Sequence, residues 1–280
     1  MSLFLCWYIP CVIFILGLCV GSFVNVVIYR YPLIMLQNNN STFKKMSLSY
    51  PESHCTTCKN KILKRDNIPV LSWILRKGKC RYCNTSFSIR YMITEIVFGL
   101  VFLFTELYLY PEFSLFSIAA ILILFSYLYC IFFIDLKHFI IPDVMSYTLL
   151  IMGLCCAYFK LIPISIAASF SGAIFAFIII SISGLIFKIA RGIDGLGFGD
   201  YKLFAVGGAW VGFFNIPYLI ILSSLIGILF FGLNKKYHFS SIENKDYLDD
   251  LIEQKDNVIP FGPAICLSIY FYMLYIFMSR

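Results

Sequence analysis

Long apolar stretches recur along this whole chain, and they constrain its fold more than any other feature. A bilayer core about 30 Å thick needs roughly 20 mostly apolar residues per helical span. About eight segments approach that description: Phe4 to about Ile28, Tyr91 to Tyr110, Phe113 to Ile134, Met145 to Lys160, Ile162 to Ile189, Tyr201 to Phe214, Ile216 to Leu233 and Val258 to Met278. The sixth is short for a crossing. Only 13% of the residues are charged, about half the share of an ordinary soluble domain. The expected fold is therefore an all-α polytopic membrane protein. Met1 to Pro10 carries no basic residue, and the apolar run that includes it is longer than a signal-peptide core, so the first segment is read as a retained span.

Charge then orients the spans. Between Arg30 and Arg90 there are twelve Lys or Arg against Glu52 and Asp66, which predicts that this segment faces the cytoplasm. Threading the other segments from there puts Lys137, Arg191, Lys202 and Lys236 on the same side. The opposite connectors, such as Pro111-Glu112 and Asn215, are nearly free of positive charge. Basic clusters also attract nucleic acid, but membrane orientation accounts for these charges without it, so no nucleic-acid partner is expected.

Seven of the eleven cysteines (6, 11, 19, 130, 155, 156, 266) lie in apolar segments, where a thiol behaves as a small hydrophobe. The other four form two CxxC knuckles in the basic insert, Cys55 with Cys58 and Cys80 with Cys83. Paired knuckles at this spacing read as a zinc ribbon, four thiolates closing a tetrahedral site with no open position. The zinc is expected to be structural. An insert of about 60 residues, with few core-sized apolar runs beyond Ile68 to Leu75, is too small to fold comfortably unaided. His54 is read as a neighbour of the site, since four thiolates already fill it.

Carboxylates at the ends of membrane spans are expensive to keep, so each is a functional candidate. Asp135 ends the third apolar segment, and Asp200 ends Gly197-Phe198-Gly199-Asp200 just before the sixth. The threaded topology brings both to one face at similar depth. Two close carboxylates do not both ionise easily, so one retains a proton while its partner acts as a base, a pairing able to activate water against a peptide carbonyl. Helix capping explains such aspartates equally well, and at this point both readings of Asp135, Asp143 and Asp200 stand. A transporter with polar groups along a pathway is the competitor from another class. It predicts acidic positions near the midplane and paired halves, whereas these cluster at one face.

Further motifs sit around these residues: Gly21-Ser22-Phe23-Val24-Asn25 with Arg30, Asp66-Asn67-Ile68-Pro69-Val70-Leu71-Ser72-Trp73, Arg90-Tyr91 with Glu95, Ile141-Pro142-Asp143, and Pro260-Phe261-Gly262-Pro263-Ala264. In order and spacing, nearly end to end, the chain resembles the bacterial type IV prepilin peptidases. The resemblance implies that Asp135 and Asp200 are the catalytic pair of a GxGD-type aspartyl protease, with Asp143 in a supporting structural role. It implies removal of a short basic leader from prepilins or pseudopilins after a glycine, at the cytoplasmic face of the bacterial inner membrane. Many members also methylate the new N-terminus with S-adenosylmethionine, an activity associated with the cysteine-containing insert; Gly78 matches a glycine linked to it. No cofactor loop can be read in the insert, so methyl-donor contacts are unassigned. The expected organisation is a first span at 1–29, a cytoplasmic four-cysteine module at 30–90 and a peptidase membrane domain at 91–280. The alternative within the family is a peptidase alone, with the module as a scaffold.

Overall fold

A computed structural model describes residues 3–37, 47–55, 57–192, 195–237 and 260–279. Its helices are α1 (Leu3–Gln37), α2 (Leu71–Arg76), α3 (Arg90–Leu109), α4 (Leu115–His138), α5 (Asp143–Tyr158), α6 (Ile166–Arg191), α7 (Phe198–Val211), α8 (Ile216–Tyr237) and α9 (Gly262–Met278). The described residues contain no strand, only two isolated antiparallel bridges in the insert.

Each expected apolar segment is a helix. Among the described residues, five stretches are long and apolar enough to cross a membrane: Tyr8–Met35, Arg90–Leu109, Leu115–His138, Ile166–Arg191 and Phe213–Phe230. Helices α5 and α9 are apolar but shorter, at 16 and 17 residues, and α7 has 14. The fold is thus all-α and multi-pass, with five of the eight segments at crossing length. Helix α1 outruns its expected end near Ile28, because Tyr31 to Leu36 continues the apolar run through Pro32. From His238 on, the expected solvated connector Lys235 to Asn257 lies outside the described residues.

The chain divides into two compact units, Met1–Ser126 and Tyr127–Arg280. In the first, α1 packs along α3. Gly17 and Gly21 make this possible, since a Cβ at either position would lie 2.7–2.9 Å from atoms of Phe98, Gly99 or Glu95. Small residues one turn apart let helix backbones approach where no hydrophobic effect drives them together. Asn25 Nδ2 adds a bond to the Tyr91 carbonyl at 3.2 Å.

In the second unit α7 is the central element, packed by α5, α6, α8 and α9. Ten of its fourteen residues are buried, so a short helix with no polar face is the expected solution. The α6–α7 approach is so close that Gly172 and Gly208 face each other backbone to backbone. Two buried side chains fix the register: Ser169 Oγ donates to the Ala209 carbonyl at 2.6 Å and Trp210 Nε1 to that of Leu149 at 3.0 Å. These bonds anchor the helix whose first turn carries Asp200.

Candidate active site and metal centre

The second unit brings the ends of four helices together. Asp135 lies in the last turn of α4, which runs on to His138, and Asp200 is the third residue of α7. Both had been expected just outside their helices; each is instead within a terminal turn, 5% and 8% exposed. Asp200 Oδ2 accepts the Gly197 N–H at 3.1 Å. The capping role open from sequence is therefore real for this residue, and it also fixes the carboxylate's direction.

Two glycines and one isoleucine join the aspartates. A Cβ on Gly262, the first residue of α9, would lie 2.5 Å from Asp135 Oδ2 and 3.2 Å from Ile141 Cδ1. A Cβ on Gly199 would lie 2.9 Å from Ile141 Cβ. The Ile141 side chain thus touches the residue beside Asp200 and the one against Asp135. Both carboxylates also lie within electrostatic range of the buried thiol of Cys266, one turn into α9. Ile141 and Gly262 belong to sequence motifs, but nothing in their spacing revealed that they line this corner.

Asp143 is placed differently. It is exposed, in the first turn of α5, and Lys202 Nζ donates to its Oδ1 at 2.7 Å. The Lys202 ammonium lies over the rings of Phe198 at 4.5 Å and Tyr147 at 5.4 Å. This cation tethers the starts of α5 and α7. The Asp143 bond is to another helix rather than a cap.

In the first unit the four cysteines converge. Cys55 and Cys83 sulfurs are 3.7 Å apart, those of Cys58 and Cys80 are 3.9 Å apart, and all four lie within 4.8 Å of one another. With Zn–S bonds of about 2.3 Å, the edge of an ideal S4 tetrahedron is about 3.8 Å, so the cluster has the dimensions of a tetrathiolate metal site. His54 stands outside it, its Nδ1 paired with the Glu52 carbonyl.

The two knuckles repeat one another at an offset the sequence reading did not use. Cys55 N–H bonds to Asn60 O and Lys59 N–H to Cys55 O; Cys80 N–H bonds to Thr85 O and Asn84 N–H to Cys80 O. Lys59 and Asn84, at equivalent positions, have positive φ of 59° and 56°. The bridges His54–Lys61 and Lys79–Ser86 close the same loop twice. Such turns aim N–H groups at sulfur. Those of Cys58 and Thr57 lower the Cys55 thiol pKa, and hydrogen bonding with Thr85 draws Cys83 down to about 6. Cys58 goes the other way, the Asn60 N–H pulling it down but burial and the neighbouring thiols pushing it up to about 11, so a metal must displace that proton.

Between the knuckles, Arg81 grips Asp66 in a two-pronged pair, both contacts 2.7 Å, holding that carboxyl below its ordinary range. Two further charged side chains reach the insert from the membrane helices. The buried Arg30 of α1 donates to the carbonyls of Ser47 and Leu48, and the buried Glu95 of α3 accepts the Val70 N–H at 2.7 Å.

Comparison with known proteins matches both parts of the chain. Residues 15–109 match the bacterial peptidase A24 N-terminal domain and residues 122–232 the type IV leader peptidase family. The chain is 35% identical over 261 residues to the type 4 prepilin-like proteins leader peptide-processing enzyme of Escherichia coli O78:H11 (strain H10407 / ETEC), covering 90% of this chain and 88% of that protein. It is 32% identical to a prepilin leader peptidase/N-methyltransferase of Vibrio cholerae serotype O1, covering 93% and 95%. With the protein of that name from Pectobacterium carotovorum subsp. carotovorum it shares 34% identity over 77% and 79%. No solved structure matches the chain.

Proposed function

The chain belongs to the type IV leader peptidase family, and we propose that it is an inner-membrane aspartyl endopeptidase that removes the leader from type IV prepilins or pseudopilins and then N-methylates the new N-terminus. The observation that carries the peptidase reading is the buried corner in which Ile141 and Gly262 link Asp135 to the first turn of α7 and Asp200. In this reading 91–280 is the peptidase membrane domain, 1–29 the first span and 30–90 the cytoplasmic module. The basic insert argues for a cytoplasmic site, and its charges need no nucleic acid. Membrane lipid is the other constant partner.

In the reaction one aspartate is ionised and the other protonated. The ionised carboxylate takes a proton from water as the water oxygen attacks the glycine's carbonyl carbon, and the protonated one donates to the carbonyl oxygen. Collapse of the tetrahedral intermediate breaks the C–N bond. The proton taken from water passes to the leaving amine, which becomes the N-terminus of the mature protein. Gly262 serves this by letting the start of α9 close on Asp135, and Gly199 by letting Ile141 close on the first turn of α7. Asp200 is held by the Gly197 amide, so its orientation is set before substrate arrives.

S-adenosylmethionine, when bound, would supply an electrophilic methyl group to the neutral amine, leaving S-adenosylhomocysteine and a proton. Cys55, Cys58, Cys80 and Cys83 would hold Zn2+, which closes the insert and takes no part in bond making. The test is to incubate the detergent-purified enzyme with a synthetic prepilin and S-adenosylmethionine and weigh the products. Loss of the leader plus the mass of one methyl is expected. Cleavage alone would leave the insert as a scaffold, and no cleavage by folded enzyme would overturn the proposal.

A further inference from the structure

Helix α2 turns its apolar residues the wrong way for a small soluble module. Leu71, Ile74 and Leu75, at i, i+3 and i+4, form one stripe with Ile68 one turn before them, and they are 51%, 56%, 72% and 46% exposed. No residue of this helix is buried. Trp73 points the other way, its indole against Gly78, where a Cβ would come within 2.7 Å of the ring. The run Ile68 to Leu75 is the insert's main apolar run, yet among the described residues the module's interior is built on Cys55 and Cys80 and the run's large aliphatic side chains lie outside it. A contiguous apolar stripe rimmed by polar groups marks a contact surface.

Three observations identify what it meets. The first is position. Val70, immediately before α2, is bonded to Glu95, the sixth residue of a helix long and apolar enough to cross a membrane. At 1.5 Å per residue Glu95 is about 7 Å along the axis from Arg90, so α2 starts beside the end of a membrane span. The second is fixation. Val70 has φ +58°, a conformation costly for a β-branched residue and kept only where surroundings enforce it. The Glu95 carboxylate does so here, and Arg30 secures the module's Ser47 and Leu48 from α1. The third is charge. Arg65, Lys77 and Lys79 are exposed and Arg76 half-exposed around the stripe, while Asp66 is engaged by Arg81. Apolar residues ringed by cations suit the headgroup–acyl boundary of an anionic leaflet.

We propose that α2 is an interfacial anchor, its Ile68, Leu71, Ile74 and Leu75 seated in the anionic leaflet where α1 and α3 emerge, with Glu95 as the strut that sets its depth. The anchor fixes the four-cysteine module against the membrane surface. It depends on the membrane-spanning character of α1 and α3, and on neither catalytic activity.

The test places a benzophenone amino acid at Leu75 in the full-length protein, reconstituted in nanodiscs containing phosphatidylglycerol, and reads adducts by mass after irradiation. A phosphatidylglycerol adduct is expected, with yield falling at least about fivefold in phosphatidylcholine alone. Glu95→Ala should reduce the adduct comparably, whereas Glu95→Gln, whose amide oxygen can still accept the Val70 N–H, should restore it. Crosslinking to protein alone, or no adduct in a folded protein, would overturn the anchor. Equal yield in phosphatidylcholine would overturn its anionic preference, and an unchanged adduct in Glu95→Ala would overturn the strut.

Discussion

The two units of this chain hold their chemistry in opposite ways. In Tyr127–Arg280 the aspartates sit on the ends of packed helices, and their positions follow from close contacts among Gly199, Gly262 and Ile141. In Met1–Ser126 the cysteines sit on turns, repeated at one offset, with little apolar interior around them. The first arrangement is rigid because dense packing leaves side chains no alternative. The second, with the Zn2+ proposed for it, would depend on that ion and on struts from its neighbours. Damage to the metal site should therefore spare cleavage, and damage to the glycine corner should spare the metal.

The largest effect expected is at the dyad. Asp135→Ala and Asp200→Ala should each lower leader cleavage by at least about a hundredfold, with thermal unfolding in detergent close to wild type. Cleavage that survives either change would end the catalytic assignment. Next comes the glycine corner: Gly262→Ala forces a methyl against Asp135, and overpacking of this kind costs about 1–3 kcal/mol. Cleavage should drop at least about tenfold while metal content, read by elemental analysis, stays unchanged.

Cys80→Ser tests the other side of the contrast. It should release zinc and abolish methylation while cleavage stays within about threefold of wild type, since the four clustered cysteines belong to one unit and the aspartates to the other. Full metal retention would refute the four-thiolate site. The smallest change is expected at the tether between α5 and α7. Asp143→Ala should leave cleavage within about tenfold, because exposed ion pairs contribute at most about 1 kcal/mol; a loss equal to that of Asp200→Ala would make Asp143 a third member of the dyad.

Much of this was legible beforehand for physical reasons. Apolar runs of membrane length leave helix as the main option, so every expected segment formed one. The cysteine cluster was legible because its ligands come in pairs close in sequence. The centrality of α7 was not, since burial on all sides removes the amphipathic stripe that would have announced its neighbours. Ile141 and Gly262 could not be assigned either, being apolar residues 121 positions apart whose meeting depends on tertiary packing. The exposure of the Ile68 to Leu75 run was not legible, because apolarity in sequence does not say whether protein or lipid will cover it.

If the two chemistries are separable, a reciprocal assay will divide them. Asp200→Ala enzyme would receive a synthetic substrate already lacking its leader, with S-adenosylmethionine, while Cys80→Ser enzyme would receive the intact prepilin. The account predicts that the first adds a methyl without cleaving and the second cleaves without methylating. Loss of both activities in either folded variant would contradict it.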